Sequence, residues 1–254
     1  GIAVGMIGEY SLRLREIIEA GNQLFLKITV IIVKATPLAV FCSMTSLVLT
    51  TGASTLVSLL GFVLTFLLGL ACMIAVYAVL VLLIARLNPI VFLKKYAPTM
   101  LTAFTLSSSN AAMPFNMKAC KEELGISPSV YSFSIPMGAT MNMDGSCVYL
   151  MAGALFLAKI YGVPVPGSML VSMFISAFIL SIGAPGVAGS AFICLSVLTA
   201  QIGLPAEAVS IVMGVDPIMS MFRTMSNCTG DVAVSLIVAK TEKKVDETVY
   251  YSQK

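Results

Sequence analysis

Six polar residues recur at helical spacing near the C-terminal end of the chain: Asp216, Ser220, Arg223, Thr224, Asn227 and Asp231. Steps of 4, 3, 1, 3 and 4 place all six on one face of a helix whose other faces carry Val, Ile, Met and Phe. Upstream, Ala139-Thr140-Met141-Asn142-Met143-Asp144-Gly145-Ser146 sets an amide and a carboxylate beside a helix-breaking glycine, a combination that opens the backbone and frees carbonyl oxygens. Carboxylate, amide and carbonyl oxygens suit a hard cation such as Na⁺. Asp144, Asp216 and Asp231 against the lone Arg223 leave an excess of negative charge that co-bound monovalent cations would neutralise. The Arg223 guanidinium would then be free to grip a substrate carboxylate in bidentate fashion. A purely structural Asp216–Arg223 pair is the plainer account of those two residues, but it leaves Asp144 and Asp231 without partners.

The surrounding chain places these groups at membrane depth. Of 254 residues, 58% are hydrophobic and 11% charged, and the mean hydropathy is +0.99. Soluble domains carry about 25% charge, so a soluble enzyme, a nucleic-acid binder and a disordered chain are all excluded. No charge lies between Lys34 and Arg86 or between Lys159 and Glu207, room for about four crossings or half-crossings at ~20 residues each. Histidine and tryptophan are absent, which removes histidine general-base chemistry and His-ligated zinc. The six cysteines are dispersed with no CxxC and read as packing residues. Gly1 in place of Met reads as a processed or excerpted chain.

Along the chain, Glu9–Asn22 is amphipathic and predicts an interfacial helix, Leu24–Leu49 a span with Lys27 and Lys34 on one face, and Thr55–Ile84 the clearest span. Basic groups at Arg86, Lys94 and Lys95, and at Lys240, Lys243 and Lys244, put both ends, and hence the C-terminus, on the cytoplasmic side. Between them, Ala97–Leu106 and Ala111–Met117 are too short to cross and flank the polar Ser107-Ser108-Ser109-Asn110. They predict a re-entrant hairpin, followed by a full helix at about Pro128–Ile160. The order repeats: arms Val165–Leu180 and Ser190–Leu198 flank the breaker-rich Ser181–Gly189, and a full helix spans about Ala206–Lys240. Interrupted segments in corresponding positions are the sequence pointer to a transporter binding site at a repeat interface. The expected fold is therefore an all-α membrane protein with spanning helices and two re-entrant hairpins, each followed by a polar-lined transmembrane helix. Residues 1–95 are expected to be scaffold-type helices, 96–242 the transport core and 243–254 a cytoplasmic tail.

Four motifs, Ser107-Ser-Ser-Asn-Ala-Ala-Met-Pro114, Asn142-Met-Asp-Gly145, Ser181-Ile-Gly-Ala-Pro-Gly-Val-Ala-Gly189 and Arg223-Thr-Met-Ser-Asn-Cys-Thr-Gly-Asp231, occur in one order and spacing that resembles the dicarboxylate/amino acid:cation symporter family. The resemblance runs from Gly1 to about Glu242 and matches the family's C-terminal part, without its N-terminal helices. It implies a symporter, not an enzyme, that couples Na⁺ to import of a C4-dicarboxylate or acidic amino acid (glutamate or aspartate) by alternating access. The implied setting is a homotrimer in a bacterial or archaeal plasma membrane, with no organic cofactor and no nucleic acid partner. By position, the resemblance implies that Ser108, Ser109 and Asn110 form the cytoplasmic tip, Ser146 a substrate contact, and Gly186, Val187 and Gly189 the extracellular gate. Arg223 would bind the distal carboxylate, with Thr224 and Asn227 completing the pocket. Asn142, Asn227, Asp231 and the Gly138 carbonyl would form one Na⁺ site; Thr140, Ser181, Ile182 and Ala184 would offer backbone oxygens to a second; Asp144, Asn142 and the Gly230 carbonyl would contribute to a third.

One departure bears on substrate. Amino-acid carriers of the family usually have aspartate where Ser220 stands, for the substrate ammonium; serine there resembles the C4-dicarboxylate branch. Asp231 is retained, whereas proton-coupled dicarboxylate carriers lack it, which favours Na⁺ over protons. Competing readings are a proton-coupled carrier, a passive channel, and an intramembrane aspartyl protease using Asp144 and Asp231 as a dyad. The protease motif Gly-x-Gly-Asp is broken by Cys228, and Met143 precedes Asp144 where that class has tyrosine.

Overall fold

An apolar run with no charge from Ala35 to Ala85 gives the longest helix among the described residues, α1 (Ala53–Leu80), which continues into a π-helical turn at Val81–Ala85 and stops at Arg86 in the left-handed region (φ 54°). This computed structural model describes residues 53–183 and 190–252, with scattered positions between 13 and 49. The expected interfacial helix Glu9–Asn22 and span Leu24–Leu49 lie largely outside the described residues, and Ala184, Gly186, Val187 and Gly189 lie wholly outside them.

The fold is all-α. Helices α2 (Pro89–Leu106) and α3 (Ser109–Glu122) form the first pair, α4 (Pro128–Met141) and α5 (Asp144–Ile160) a broken helix, and α6 (Gly167–Gly183) and α7 (Ser190–Ala200) the second pair. A 3₁₀ turn at Ala206–Val209 and a helical turn at Ser210–Met213 lead to α8 (Asp216–Thr241), and α9 (Glu247–Tyr251) ends the described chain. Among the described residues the β pairing amounts to one antiparallel bridge, Ile126 to Val245.

Three sequence boundaries are corrected. α2 starts at Pro89, not Ala97, because Asn88 caps it by accepting from the Ile90 N–H (2.9 Å) and Pro89 needs no donor at the first helical position. Likewise α3 runs past Met117 to Glu122, its last turn carrying an exposed Lys118–Glu122 pair at 3.9 Å. The last helix is continuous only from Asp216, whereas Pro128–Ile160 keeps its expected bounds and opens at Asn142 and Met143, within the stretch expected to open.

Ser107 ends α2 in the left-handed region (φ 51°), its N–H donating to the Ala103 carbonyl, and the chain reverses into α3, whose Ser108 cap accepts from the Ala111 N–H at 3.3 Å. Gly125 (φ 66°) turns α3 toward α4, and a Cβ there would strike the Asp246 carbonyl.

Two apolar clusters flank α8. One gathers Phe62, Phe66, Tyr149, Leu150 and Leu195; the other gathers Tyr77, Phe92, Tyr96, Leu124, Leu236 and Tyr250. The outward face of α1, with Val57, Leu60, Leu64, Leu68 and Val76 exposed, is what water disfavours and a bilayer or protein neighbour accepts. Helices at Val57–Ala85 and Pro128–Ile160 are long and apolar enough to cross a membrane.

The C-terminal segment fastens the first helix pair to the end of α8. Lys95 Nζ donates to the carbonyls of Val249 (2.5 Å) and Glu123 (3.1 Å), Tyr250 donates its hydroxyl to the Asn88 carbonyl (2.9 Å), and the Asp246 N–H donates to the Gly125 carbonyl (2.8 Å). Asp246 caps α9, and hydrogen bonds from the Thr248 hydroxyl and N–H hold its carboxyl below the usual carboxylate range.

Candidate functional site

α8 passes through the middle of the molecule, and its polar stripe is buried there: Ser220, Arg223, Thr224, Asn227 and Asp231 are all at most 6% exposed. A helix can carry such a stripe only where other polar groups or bound ions meet it. The interruption between α4 and α5 supplies those groups. Asn142 and Met143 leave helical geometry, and the next helix starts at Asp144, so amide, carboxylate and α5 N-terminus all face α8.

Five hydrogen bonds knit the break to α8, one of them from Asn227 Nδ2 to Met143 Sδ at 3.2 Å. Asn142 Nδ2 donates to Asp231 Oδ1 (3.1 Å) and to the Asn227 carbonyl (3.2 Å). The Gly145 N–H donates to Asn227 Oδ1 (2.8 Å), and Ser226 Oγ donates to Asp144 Oδ2 (3.1 Å). Among the described residues each aspartate keeps one buried oxygen without a hydrogen-bond partner, Asp144 Oδ1 and Asp231 Oδ2, and neither forms an ion pair. Buried carboxylate oxygens are normally satisfied, so these two mark places for a cation. Gly138 lies against the Asp231 carboxylate so closely that a Cβ would enter it, and Gly230 lies under Asn142 and Tyr77 in the same way. Among the described residues no three His, Cys, Asp or Glu side chains cluster, so these donors hold the low charge and hard oxygen character that suit a monovalent ion better than a transition metal.

Gly145 is where α5 meets the backbone of α8. A Cβ there would lie 2.9 Å from the Arg223 carbonyl oxygen and 3.0 Å from Asn227 Oδ1. Backbone cannot yield as a side chain can, so Gly145→Ala is expected to destabilise the fold by about 1–3 kcal/mol, the usual cost of overpacking. Thermal unfolding in detergent checks this; an unchanged midpoint contradicts it.

Arg223 is engaged, contrary to the expectation of a free guanidinium. Nη1 donates to Asp216 Oδ1 at 2.8 Å, and the guanidinium carbon sits 4.2 Å above the Tyr149 ring, whose hydroxyl also meets Asp216. One bond to Asp216 leaves most of the five guanidinium donors for another partner. The plainer account of this pair is thus geometrically correct, and it does leave Asp144 and Asp231 without a cationic partner.

The remaining candidates divide. Ser146 is buried beside Asp144 at the start of α5. Ser109 is buried at the start of α3, and its hydroxyl and Asn116 meet the Cys228 thiol on α8. Thr140 is exposed and donates to the Met137 carbonyl (2.9 Å), while Ser181 donates to the Phe178 carbonyl (2.8 Å). Hydrogen bonds do not bring Thr140 and Ser181 together among the described residues. Ile182 is half-buried at the end of α6.

Sequence reasoning missed Tyr77, Ser226 and Tyr149. Tyr77 is the sole hydroxyl between Phe66 and Ala85, and Ser226 lies three residues beyond Arg223, the two signals that were there to be read.

A sequence model described as the sodium:dicarboxylate symporter family matches residues 1–241. Excitatory amino acid transporter 3 of Mus musculus is 31% identical over 246 residues, 96% of this chain and 47% of that protein. The Homo sapiens transporter of the same name is 30% identical over the same length, and excitatory amino acid transporter 2 of Mus musculus is 28% identical over 252 residues, 98% of this chain and 44% of that protein. The chain spans about half the length of the curated relatives it matches. It is a transporter family, which sets aside the protease reading, and the all-α fold, the interrupted helices and the buried polar stripe agree with it: the chain belongs to the sodium:dicarboxylate symporter family.

Proposed function

We propose that this chain forms the substrate- and cation-binding part of a secondary symporter that uses Na⁺ to import a small anionic carboxylate, a C4-dicarboxylate or an acidic amino acid, by alternating access. The observation that carries this reading is the pair of buried carboxylates, Asp144 and Asp231, each with an unpartnered oxygen and, among the described residues, no cationic side chain to neutralise it.

In this reading Asp231, Asn142, Asn227 and the Gly138 carbonyl hold one Na⁺, and Asp144, Asn142 and the Gly230 carbonyl contribute to another. Thr140, Ser181, Ile182 and Ala184 would serve a further ion beneath the second tip. Arg223 takes the distal substrate carboxylate, with Ser108, Ser109, Ser146, Ser220, Thr224 and Asn227 around it and Gly186, Val187 and Gly189 as the gate. The two helix pairs are re-entrant, residues from 96 to 242 move as the transport core, and the assembly is a homotrimer in the bilayer. Cations neutralise aspartates that the closed pocket would otherwise bury charged, so only the loaded core is favoured to move. Two broken hairpins supplying gates on opposite sides favour a carrier over a pore, since a pore has no use for two gates.

Proteoliposomes of the protein that carries this chain, loaded with an inward Na⁺ gradient, are expected to concentrate one of aspartate, glutamate, succinate or malate at least tenfold faster than with choline. Equal uptake in choline defeats Na⁺ coupling, and uptake that follows an inward proton gradient alone favours the proton-coupled alternative.

A further inference from the structure

Tyr77 comes from α1, outside all four motifs, yet it reaches the same aspartates. It is 5% exposed, and its hydroxyl faces the side chains of Asp144 and Asn142. The approach depends on Gly230: a Cβ there would lie 2.5 Å from the Tyr77 hydroxyl and 2.7 Å from its ring carbon Cζ, and would collide with Asn142 as well. Glycine directly before Asp231 thus lets an aromatic side chain of a separate helix lie on α8 beside both carboxylates. From Phe66 to Ala85 the chain offers no other hydroxyl, so this contact is a polar link from that stretch to the break at Asn142.

We infer that Tyr77 is a positioning residue for the cation held at Asp144: its O–H donates toward that carboxylate and fixes the direction in which Oδ1 is offered. Ser226 already holds Oδ2 at 3.1 Å, so the two hydroxyls together orient a carboxylate that no charged side chain among the described residues restrains. A carboxylate free to rotate loses affinity for an ion that needs its oxygen in one place, and hydroxyl partners of ligating carboxylates affect affinity in just this way. The inference rests on the cation-coupled reading above.

The test compares Tyr77→Phe, which keeps the ring over Gly230 and removes the hydroxyl alone, with Tyr250→Phe. Tyr250 lies in the same apolar cluster, fully buried, but its hydroxyl serves the Asn88 carbonyl and not an aspartate. Purified protein is titrated with NaCl against choline chloride at constant ionic strength, and the NaCl midpoint for thermal stabilisation is read together with the midpoint for uptake. Tyr77→Phe is expected to raise both midpoints about five- to tenfold, with unfolding in choline alone close to that of the parent; Tyr250→Phe is expected to leave the NaCl midpoints within twofold. A Tyr77→Phe midpoint within twofold of the parent overturns the inference, and so does an equal shift in both variants, which would mean general loosening. A parent that responds identically to NaCl and choline instead brings down the cation-coupled reading, and this inference with it.

Discussion

Asp231→Asn is expected to lower Na⁺-driven uptake by about 100-fold or more while leaving the fold intact. The substitution keeps the shape of the side chain and removes one negative charge from the middle of α8, where Asp231 is 2% exposed. Asn142 Nδ2 can still donate to the remaining amide oxygen, so the hydrogen bond at 3.1 Å need not be lost. What is lost is the oxygen that lacks a partner, Oδ2, as an anionic ligand. Breaking one half of a buried charge pair costs about 3–5 kcal/mol, which corresponds to two or more orders of magnitude in affinity. Two measurements separate this role from a structural one. The NaCl midpoint for thermal stabilisation should rise out of range, and the unfolding temperature in choline should hold or increase, because a buried unpaired carboxylate disfavours the folded state and its amide does not. Normal Na⁺ dependence in this variant would remove Asp231 from the cation site.

The reason Asp231 was legible in the sequence is geometric. A charge inside an otherwise apolar helix stands out at single-residue resolution, and the steps from Asp216 to Asp231 fix the face without any knowledge of neighbours. The break at Asn142 was legible for a similar reason, since Asn, Asp and Gly in succession weaken a helix locally; the structure moves the interruption to Asn142 and Met143 and keeps Gly145 inside α5, where its lack of a side chain admits the Arg223 backbone. Partners from elsewhere in the chain were not legible. Tyr77 looks like one more large residue in an apolar span, and its role depends on Gly230, 153 positions away. The start of α2 was misplaced because Lys94 and Lys95 read as loop charges. In the fold they sit on a helix whose carbonyl partners for Lys95, at Glu123 and Val249, come from the far ends of two other segments. The engagement of Arg223 is open in the sequence, since a spacing of seven residues allows the ion pair but does not say whether the side chains turn toward each other.

That ion pair shapes the second large effect. Ser220→Asp is expected to shift the preference of the carrier by about 10- to 100-fold toward aspartate over succinate or malate. Ser220 is buried on the polar face of α8, one turn beyond Asp216 and one turn before Arg223. A carboxylate at that position gives the pocket an anion beside the site of a substrate carboxylate, where an α-ammonium group would find a partner and a second substrate carboxylate or hydroxyl would not. Close charge pairs at buried interfaces have coupling energies of about 1.5–7 kcal/mol, so the low end of that range already accounts for a tenfold change. Part of the gain is offset, because Asp216 is four residues away and like charges at that spacing repel, and because the new carboxylate competes for Arg223. The offset lowers absolute rates for every substrate, and so the ratio, not the rate, is the quantity to measure. Competition uptake into proteoliposomes, with labelled aspartate against unlabelled succinate and malate, gives it directly. An unchanged ratio, with both parent and variant active, would show that position 220 does not meet the α-substituent, and the distinction between dicarboxylate and amino acid would then have to be made by Thr224, Ser146 or the residues of the second tip.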